Sequence, residues 1–266
     1  MDIIHVTNRF GSGRVSVQGA QLLDWTPNGE QPMLWCSEPQ YWRAGEPIRG
    51  GIPLCFPWFG PAPAGQATAV PRPAHGFARR LNWKLVHQRE HAHGSELLFE
   101  LSDTPSTRAL WPHGFVARLQ LQVGACINVG FSYELASPAT KTAAATAALH
   151  SYLQVHDIEQ VGILGLGPSY REAGRSRRGA HVTQLHGVTD RIYGAPAPYT
   201  TVNDLGHQRT LSLWHRGHSD VVLWNPWQAL SDAPEPQWRN FVCVETARIQ
   251  RPFAAGVELA VEICLA

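Results

Sequence analysis

Apolar and polar residues alternate over short stretches along most of this chain. A period of two places the apolar side chains on one face of a β-strand. Gly, Pro, Asn or Asp separate the stretches, and these residues favour turns. Eight alternating stretches lie at residues 14–18, 83–88, 96–101, 115–123, 210–215, 220–224, 241–245 and 257–265. Many short strands joined by turns predict an all-β fold, either a sandwich or a barrel.

Three segments interrupt the strand pattern, at residues 48–76, 165–178 and 225–240. The first contains six prolines, which exclude a central strand and predict a rigid, irregular loop. The second is predicted to be a polar, basic loop. The first and third contain Trp, so we expect ordered loops that pack on the sheet. We find neither a helical stretch with clear caps nor a βαβ alternation, which argues against a parallel α/β sheet.

Charge and length limit the class of protein. The 266 residues include 22 Lys and Arg against 21 Asp and Glu, a formal net charge of +1. This balance gives no electrostatic reason to expect a nucleic acid or a membrane surface as partner. A chain of this length can bury a sizeable core without disulfides or metals. We predict a single domain over residues 1–266 that acts as a monomer on a small molecule.

The five cysteines predict a reducing environment. Their number is odd, their spacings are wide, and there is no CxxC. Cys126, Cys243 and Cys264 lie in apolar runs, where cysteine behaves as a small buried hydrophobe. We expect reduced thiols. The first residues contain an early Asp and no apolar run typical of a signal peptide, so the predicted location is cytoplasmic.

Two segments carry basic residues that could bind an anion. Arg49 precedes two glycines in IRGGIPLCFPWFG, and its planar guanidinium suits a phosphate or a carboxylate. The alternative for Arg49 is a surface ion pair. His75 and Arg79 lie in PAHGFARR, which is weak evidence alone because a solvated turn explains it equally well.

Two other segments carry candidate acid–base residues. In ALHSYL, an extended backbone places Ala148, His150 and Tyr152 on one face. His150 is then either a ligand-facing group or an ordinary core histidine. In FVCVE, Glu245 shares a face with Cys243, and a carboxylate in an apolar strand is costly to bury without a partner. The alternative is that Glu245 lies at the solvent edge of the sheet.

Motifs for metals and nucleotides are absent from the sequence. One histidine group comprises His87, His91 and His93, and another comprises His215 and His218, but neither has familiar metal-ligand spacing. There is no P-loop, no GxGxxG after a strand and no GxSxG elbow. We therefore predict neither a metal nor a cofactor.

Taken together and in order, seven segments resemble one family. They are IRGGIPLCFPWFG (48–60), PAHGFAR (73–79), LWPHGF (110–115), ALHSYL (148–153), VTDRIY (188–193), LWNPW (223–227) and FVCVE (241–245). They resemble the hexose-6-phosphate mutarotases, or glucose-6-phosphate 1-epimerases, of the aldose 1-epimerase superfamily. The resemblance implies a large antiparallel β-sandwich of the galactose mutarotase type and an isomerase that interconverts the anomers of a hexose 6-phosphate.

The resemblance also implies roles for individual residues. His150 and Glu245 match the catalytic pair, Arg49 and Arg79 match the arginines that hold the sugar phosphate, Asp190 matches an acid that contacts sugar hydroxyls, and His75 lies in the same site.

Anomer exchange needs one base and one acid. A base removes the proton of the C1 hydroxyl while an acid protonates the ring oxygen, the C1–O5 bond opens, C1 rotates, and the ring closes on its other face. We expect Glu245 to act as a carboxylate base and His150 as an imidazolium acid. We further expect that the carboxylate keeps His150 protonated and that the imidazolium keeps Glu245 ionised.

Other functions compete with this interpretation. A free-sugar aldose 1-epimerase would share the fold and the acid–base pair but would lack the phosphate contacts. A non-catalytic carbohydrate-binding β-sandwich would use stacking platforms such as Trp58, Trp227 and Trp238. A glycoside hydrolase would need two carboxylates on either side of one bond.

Overall fold

Antiparallel β-sheets dominate the computed structural model, which describes residues 1–63, 71–136 and 145–266. The strands of these ranges are β1 (Ile3–Asn8), β2 (Gly11–Ser16), β3 (Gln21–Pro27), β4 (Leu54–Cys55), β5 (Lys84–His91), β6 (Gly94–Ser102), β7 (Phe115–Val123), β8 (Cys126–Leu135), β9 (Ala145–Leu149), β10 (Tyr152–Gln154), β11 (Val161–Leu164), β12 (Ser169–Glu172), β13 (Arg175–Arg178), β14 (Val182–Thr183), β15 (Thr189–Gly194), β16 (Tyr199–Asp204), β17 (Arg209–Arg216), β18 (Asp220–Asn225), β19 (Phe241–Phe253) and β20 (Leu259–Leu265). The α-helix α1 spans Pro105–Leu110, and 3₁₀ turns lie at Pro39–Tyr41, Ala78–Arg80, Ile158–Gln160 and Gln237–Asn240.

The strands form two large sheets and one small one. Over the described ranges, the larger sheet has the order β14-β11-β16-β17-β20-β8-β7-β6-β5. The second has the order β13-β12-β15-β18-β19-β9-β4, with β10 also paired to β19, and the small sheet has the order β1-β2-β3. The prediction of an all-β antiparallel sandwich is confirmed. No helix among the described residues is long and apolar enough to cross a membrane.

Alternation of burial along the strands builds the core between the two large sheets. Strand β7 alternates buried and more exposed positions along its length. Leu213 of β17, Val261 of β20 and Val244 of β19 belong to one buried apolar cluster that draws on both sheets. Glu245 follows Val244 and lies on the opposite face of the second sheet, where it lines a cavity.

The proline-rich segment at 48–76 packs into this core, as predicted; its residues 64–70 lie outside the described part of the chain. The Phe56 side chain is fully buried, and its ring centroid lies 5.0 Å from those of Phe131 and Tyr133. Burial of one such ring stabilises a fold by about 1.5–3 kcal/mol, which explains why an irregular segment stays against the sheet.

Two local predictions were wrong. The segment at 165–178 is not a loop, because β12 and β13 pair as a hairpin at the edge of the second sheet. All four residues of β13 are exposed and three are Arg, so no apolar alternation marks the strand, and charged edge strands resist further pairing.

The helix α1 also escaped prediction. Thr104 and Thr107 cap it reciprocally, but six residues are too few to display a helical period.

The prediction of reduced cysteines holds for three residues and is wrong for two. Cys36, Cys55 and Cys243 are free thiols. Cys126 and Cys264 form a disulfide, although 138 positions separate them in the sequence. They face one another directly across β8 and β20, with Cα atoms 4.5 Å apart. That spacing lies in the range a disulfide requires, and only the pairing of the two strands creates it.

Candidate functional site

A cavity of about 850 Å³ lies on the face of the second sheet that turns away from the core. Apolar side chains of β15, β18 and β19 form part of its wall, namely Ile192, Val222, Trp224 and Ile249. All six residues singled out in the sequence line this cavity: Arg49, His75, Arg79, His150, Asp190 and Glu245. The fold therefore brings together groups that span almost two hundred positions of the chain.

His150 and Glu245 form the floor of the cavity and are in contact. The Nε2 atom of His150 lies 3.3 Å from Oε1 of Glu245. Glu245 is 1% exposed and His150 is 7% exposed. Glu245 lies within β19, opposite Val222 of β18, so it is far from any solvent edge of the sheet. Both sequence-based alternatives, a core histidine and an edge glutamate, fail because the two side chains meet at a cavity.

Local backbone structure holds His150 at this point. Strand β9 ends at Leu149 and β10 begins at Tyr152, so His150 lies in a break between two short strands that both pair with β19. The backbone N–H of His150 donates to the carbonyl of Pro53, at 3.0 Å. The proline-rich loop thus replaces the missing strand partner and directs the imidazole into the cavity.

Gly51 lets the loop that carries Arg49 approach the small sheet. Its φ is +60°, in the left-handed region, and a Cβ there would lie 2.0 Å from the carbonyl oxygen of Leu22. Only glycine tolerates both conditions. The same residue accepts a hydrogen bond from the backbone N–H of Tyr152, at 2.8 Å. Gly51 therefore ties the loop that carries Arg49 to Tyr152, two residues after His150.

The electrostatic expectation for the floor was wrong. Burial lowers the pKa of His150 well below its ordinary value, and the nearby His75, Arg79 and Arg49 lower it further. Burial raises the pKa of Glu245 well above its ordinary value, and Asp190 raises it further. Desolvation outweighs the mutual attraction of the two charges, so both shifts favour the neutral form of the pair.

Two polar atoms of the floor lack partners. Nδ1 of His150 and Oε2 of Glu245 are buried and have no hydrogen-bond partner among the described residues. Buried polar atoms without partners are rare and destabilising. Their position in a cavity with apolar walls suits a ligand that offers several hydroxyl groups and C–H surfaces.

Arg49 and Arg79 lie around the mouth of the cavity, which we call its rim. Arg49 donates from Nε to Oδ1 of Asp232, at 2.5 Å, and from Nη1 to the hydroxyl of Tyr152, at 3.3 Å. A guanidinium has five N–H donors, so others stay available for a ligand. Arg79 donates to the carbonyl of Ala74, at 3.3 Å, while its Nε is buried without a partner in the described chain. This arrangement can bind an anion.

The remaining two predicted residues flank the floor. His75 has a left-handed backbone with φ of +62°, and its Nδ1 accepts from the N–H of Gly60, at 3.4 Å. Burial lowers its pKa to about 4, and Arg79 and Arg49 act in the same direction. His75 is therefore neutral near pH 7, with its other ring nitrogen available as a donor. Burial also raises the pKa of Asp190, and Glu172 adds to this rise.

Sequence reasoning missed Arg43, Trp224 and Asp232, which also line the cavity. Asp232 belongs to the loop at 225–240 that interrupts the strand pattern, and that was the available signal. Its partnership with Arg49 spans 183 positions, so only the fold shows it. Tyr152 shares a face with His150 in the sequence pattern, yet nothing there indicated a contact with Arg49.

The tryptophans expected of a carbohydrate-binding module and the histidines considered as metal ligands lie outside the cavity. The indole of Trp58 donates to the carbonyl of Pro73, and Trp227 packs on Trp238 with ring centroids 5.3 Å apart. None of the three lines the cavity, which weakens the interpretation as a stacking platform. His215 is buried between Thr246 and Thr200, with contacts of 2.7 and 3.1 Å. Within the described ranges, no three His, Cys, Asp or Glu residues cluster as metal ligands would.

Comparisons with known proteins point to one family. Residues 2–261 match the family model described as aldose 1-epimerase. A candidate glucose-6-phosphate 1-epimerase of Salmonella typhimurium is 37% identical, with the alignment covering 100% of this chain and 91% of that protein. A candidate of the same description from Escherichia coli is 38% identical over 93% of this chain and 83% of its own length.

The fold agrees with that of a solved relative. The crystal structure of a candidate mutarotase from Salmonella typhimurium superposes with a TM-score of 0.91 and 35% identity, covering 100% of this chain and 90% of that one. Sequence and structure thus match over nearly the whole length. This chain belongs to the aldose 1-epimerase family.

Proposed function

We propose that this protein interconverts the α and β anomers of a hexose 6-phosphate, with glucose 6-phosphate as the first substrate to test. One observation carries the proposal. A buried imidazole and a buried carboxyl group lie 3.3 Å apart on the floor of a cavity whose mouth carries Arg49 and Arg79. The names of the relatives, glucose-6-phosphate 1-epimerase and mutarotase, support the same reaction and substrate class.

The pair formed by His150 and Glu245 on the floor of the cavity, in its neutral form, already holds the one proton that the reaction needs. A protonated Glu245 beside a neutral His150 contains as many protons as a Glu245 carboxylate beside an imidazolium. A shift of that proton across the contact prepares the base for the C1 hydroxyl and the acid for the ring oxygen. Ring closure by the reverse steps restores the pair. Each positioned group contributes about 10²–10⁴-fold to such a reaction.

The phosphate group of the substrate contributes to binding, and it also favours the charged form of the pair formed by His150 and Glu245. Charge-assisted bonds from Arg49 and Arg79 to a dianion fix the distance between the phosphate and C1. The same two arginines lower the pKa of His150 while the site is empty. A bound dianion offsets their positive charge, so substrate binding promotes protonation of the imidazole.

The experiment that tests the proposal is anomer exchange of glucose 6-phosphate, followed by exchange NMR. We expect wild-type protein to accelerate exchange and to act far more weakly on free glucose. The Glu245→Gln variant supplies the inactive control. Equal rates on both sugars would replace the proposal with a free-sugar aldose 1-epimerase, and no acceleration on either would leave a carbohydrate-binding protein.

Three further expectations belong to this proposal. We propose that the chain acts as a monomer, because the proposed site draws all its residues from one chain.

We propose that it lacks nucleic-acid and membrane partners, since its net charge is +1. We propose a cytoplasmic location, because phosphorylated sugars are intracellular metabolites.

We also propose that residues 1–266 fold as a single domain. Calorimetry should show one cooperative unfolding transition with equal calorimetric and van't Hoff enthalpies. Two separate transitions would contradict this.

A further inference from the structure

Tyr152 lies between the floor of the cavity and its arginine rim. Its ring is stacked on the imidazole of His150, with centroids 4.7 Å apart and an interplanar angle of 8°. The side chain is 3% exposed and lines the cavity. A parallel stack of this kind fixes the plane of the imidazole, because tilting the His150 ring would drive its edge into the tyrosine.

The hydroxyl of the same residue contacts the rim. It accepts a hydrogen bond from Nη1 of Arg49, at 3.3 Å. On its other side, the Arg49 guanidinium donates through Nε to Asp232, at 2.5 Å. Burial raises the pKa of Tyr152, so the hydroxyl stays protonated throughout the physiological range. The guanidinium is thus held between a carboxylate and a phenol, with its plane fixed.

Tyr152 is itself held rigidly. Its N–H donates to the carbonyl of Gly51, at 2.8 Å, and its carbonyl accepts from the N–H of Trp35, at 3.0 Å. The residue lies opposite Cys243 in the pairing of β10 with β19. Its ring also packs on Phe241, with centroids 5.2 Å apart. Backbone hydrogen bonds and ring packing thus tie Tyr152 to the sheet and to the loop at Gly51.

From this geometry we infer that Tyr152 is a positioning residue with two separable roles: its hydroxyl orients Arg49 for the phosphate, and its ring orients His150 for proton transfer. The inference rests on the proposed function, since it assigns the phosphate to Arg49 and proton transfer to His150. Rigid support of this kind is what keeps a site within the small tolerances that catalysis needs. One side chain then sets the distance between phosphate recognition and chemistry.

The substitution Tyr152→Phe separates the two roles, because it removes the hydroxyl and keeps the stack. We expect KM for glucose 6-phosphate and the dissociation constant of inorganic phosphate, measured by titration calorimetry, to rise about three- to tenfold. We expect kcat to change by less than about twofold. Tyr133→Phe is the matched control, because Tyr133 is buried in the core and donates to the carbonyl of Phe253, at 2.7 Å. It should leave all three values unchanged.

The substitution Tyr152→Leu tests the ring. We expect kcat to fall by about tenfold or more, in addition to the weaker phosphate binding. The ring protons of His150 should lose the ring-current shift that a stacked aromatic produces, whereas Tyr152→Phe should keep it. This NMR signature reports the stack directly and does not depend on activity. If Tyr152→Leu does not fold, Tyr152→Phe still decides the hydroxyl role through phosphate binding and the ring role through the retained shift and kcat.

The outcomes separate this inference from the proposed function. Unchanged phosphate binding in Tyr152→Phe would overturn the hydroxyl role, and an unchanged kcat in Tyr152→Leu would overturn the ring role. A His150 ring shift lost in Tyr152→Phe would show that the two roles are not separable, which also contradicts the inference. A wild-type protein that fails to exchange the anomers would instead overturn the proposed function. In that case phosphate titration and NMR would still show whether Tyr152 orients Arg49 and His150.

Discussion

The floor and the rim of the cavity are built differently. Glu245 lies within β19, His150 lies in the break between β9 and β10, which both pair with β19, and Glu245 is 1% exposed. Arg49 and Arg79 lie outside the regular strands, and the Arg49 side chain is 27% exposed. The floor is buried and its pKa shifts favour neutral groups, whereas the Arg49 side chain at the rim is partly exposed.

This difference separates chemistry from recognition. A buried pair has strongly shifted pKa values because desolvation acts on it without compensation from water, as the lowered value of His150 and the raised value of Glu245 illustrate. Arginine keeps its charge under the same conditions and is suited to hold an anion. We therefore expect substitutions in the floor to change kcat and pH dependence, and substitutions in the rim to change KM.

The largest effect should follow from Glu245→Gln or His150→Ala. Each removes one partner of the proton exchange, so kcat should fall by about 10²–10⁴-fold while circular dichroism stays that of the wild type. Glu134→Gln is the control, since Glu134 is exposed and pairs with Arg118. If either floor variant retained more than about a tenth of the wild-type rate, the floor would not be the site of chemistry.

The substitution Arg79→Gln should have a smaller effect, and it should act on KM instead of kcat. The loss of charge-assisted bonds should raise KM for glucose 6-phosphate about 10- to 100-fold and leave the rate on free glucose nearly unchanged. The neighbouring Arg80→Gln is the control, because Arg80 is bonded to the carbonyl of Gly45 and to Glu46. Equal losses on both sugars would remove the distinction between floor and rim.

The pH profile connects the two regions. The active pair carries one proton, so kcat/KM, which reports the free enzyme, should fall on the acid side when His150 takes up a second proton and on the basic side when Glu245 loses its own. Because the pKa of His150 is lowered, the acid limb should lie below pH 6.5. Arg79 contributes to that lowering, so Arg79→Gln should move the acid limb to higher pH, and Arg80→Gln should not. Identical limbs in wild type and Arg79→Gln would show that the rim does not act on the floor.

The smallest effect concerns stability. A glutamate with a raised pKa in the folded state stabilises the fold fully below its unfolded value, near 4.5, and loses that contribution as pH rises through the folded value. Glu245→Gln should therefore melt with the wild type near pH 4 and at higher temperature near pH 8, by about 2–4 °C for each kcal/mol. Scanning calorimetry of both proteins measures this difference. A difference between Glu245→Gln and wild type that stays constant from pH 4 to pH 8 would contradict the raised pKa.

Much of the fold could be predicted because alternation is a local property. Strand β7 at Phe115–Val123 was predicted to the residue, and β18 and β20 to within two residues at each end. Strand β13 was missed because arginines occupy both of its faces, and α1 was missed because it is too short to show a period. The residues that line the cavity could be selected because their motifs keep their order in a known family.

The sequence by itself determined the strands, the all-β class and the set of side chains available for acid–base chemistry, since each depends on residues that are near neighbours in the chain. Only the tertiary structure decided which groups meet. It placed Asp232 on Arg49 and Cys126 on Cys264 across 183 and 138 positions. It also shifted the pKa values of His150 and Glu245 in the direction opposite to the expectation, because the free energy of removing a charge from water depends on burial, which no local pattern of residues records.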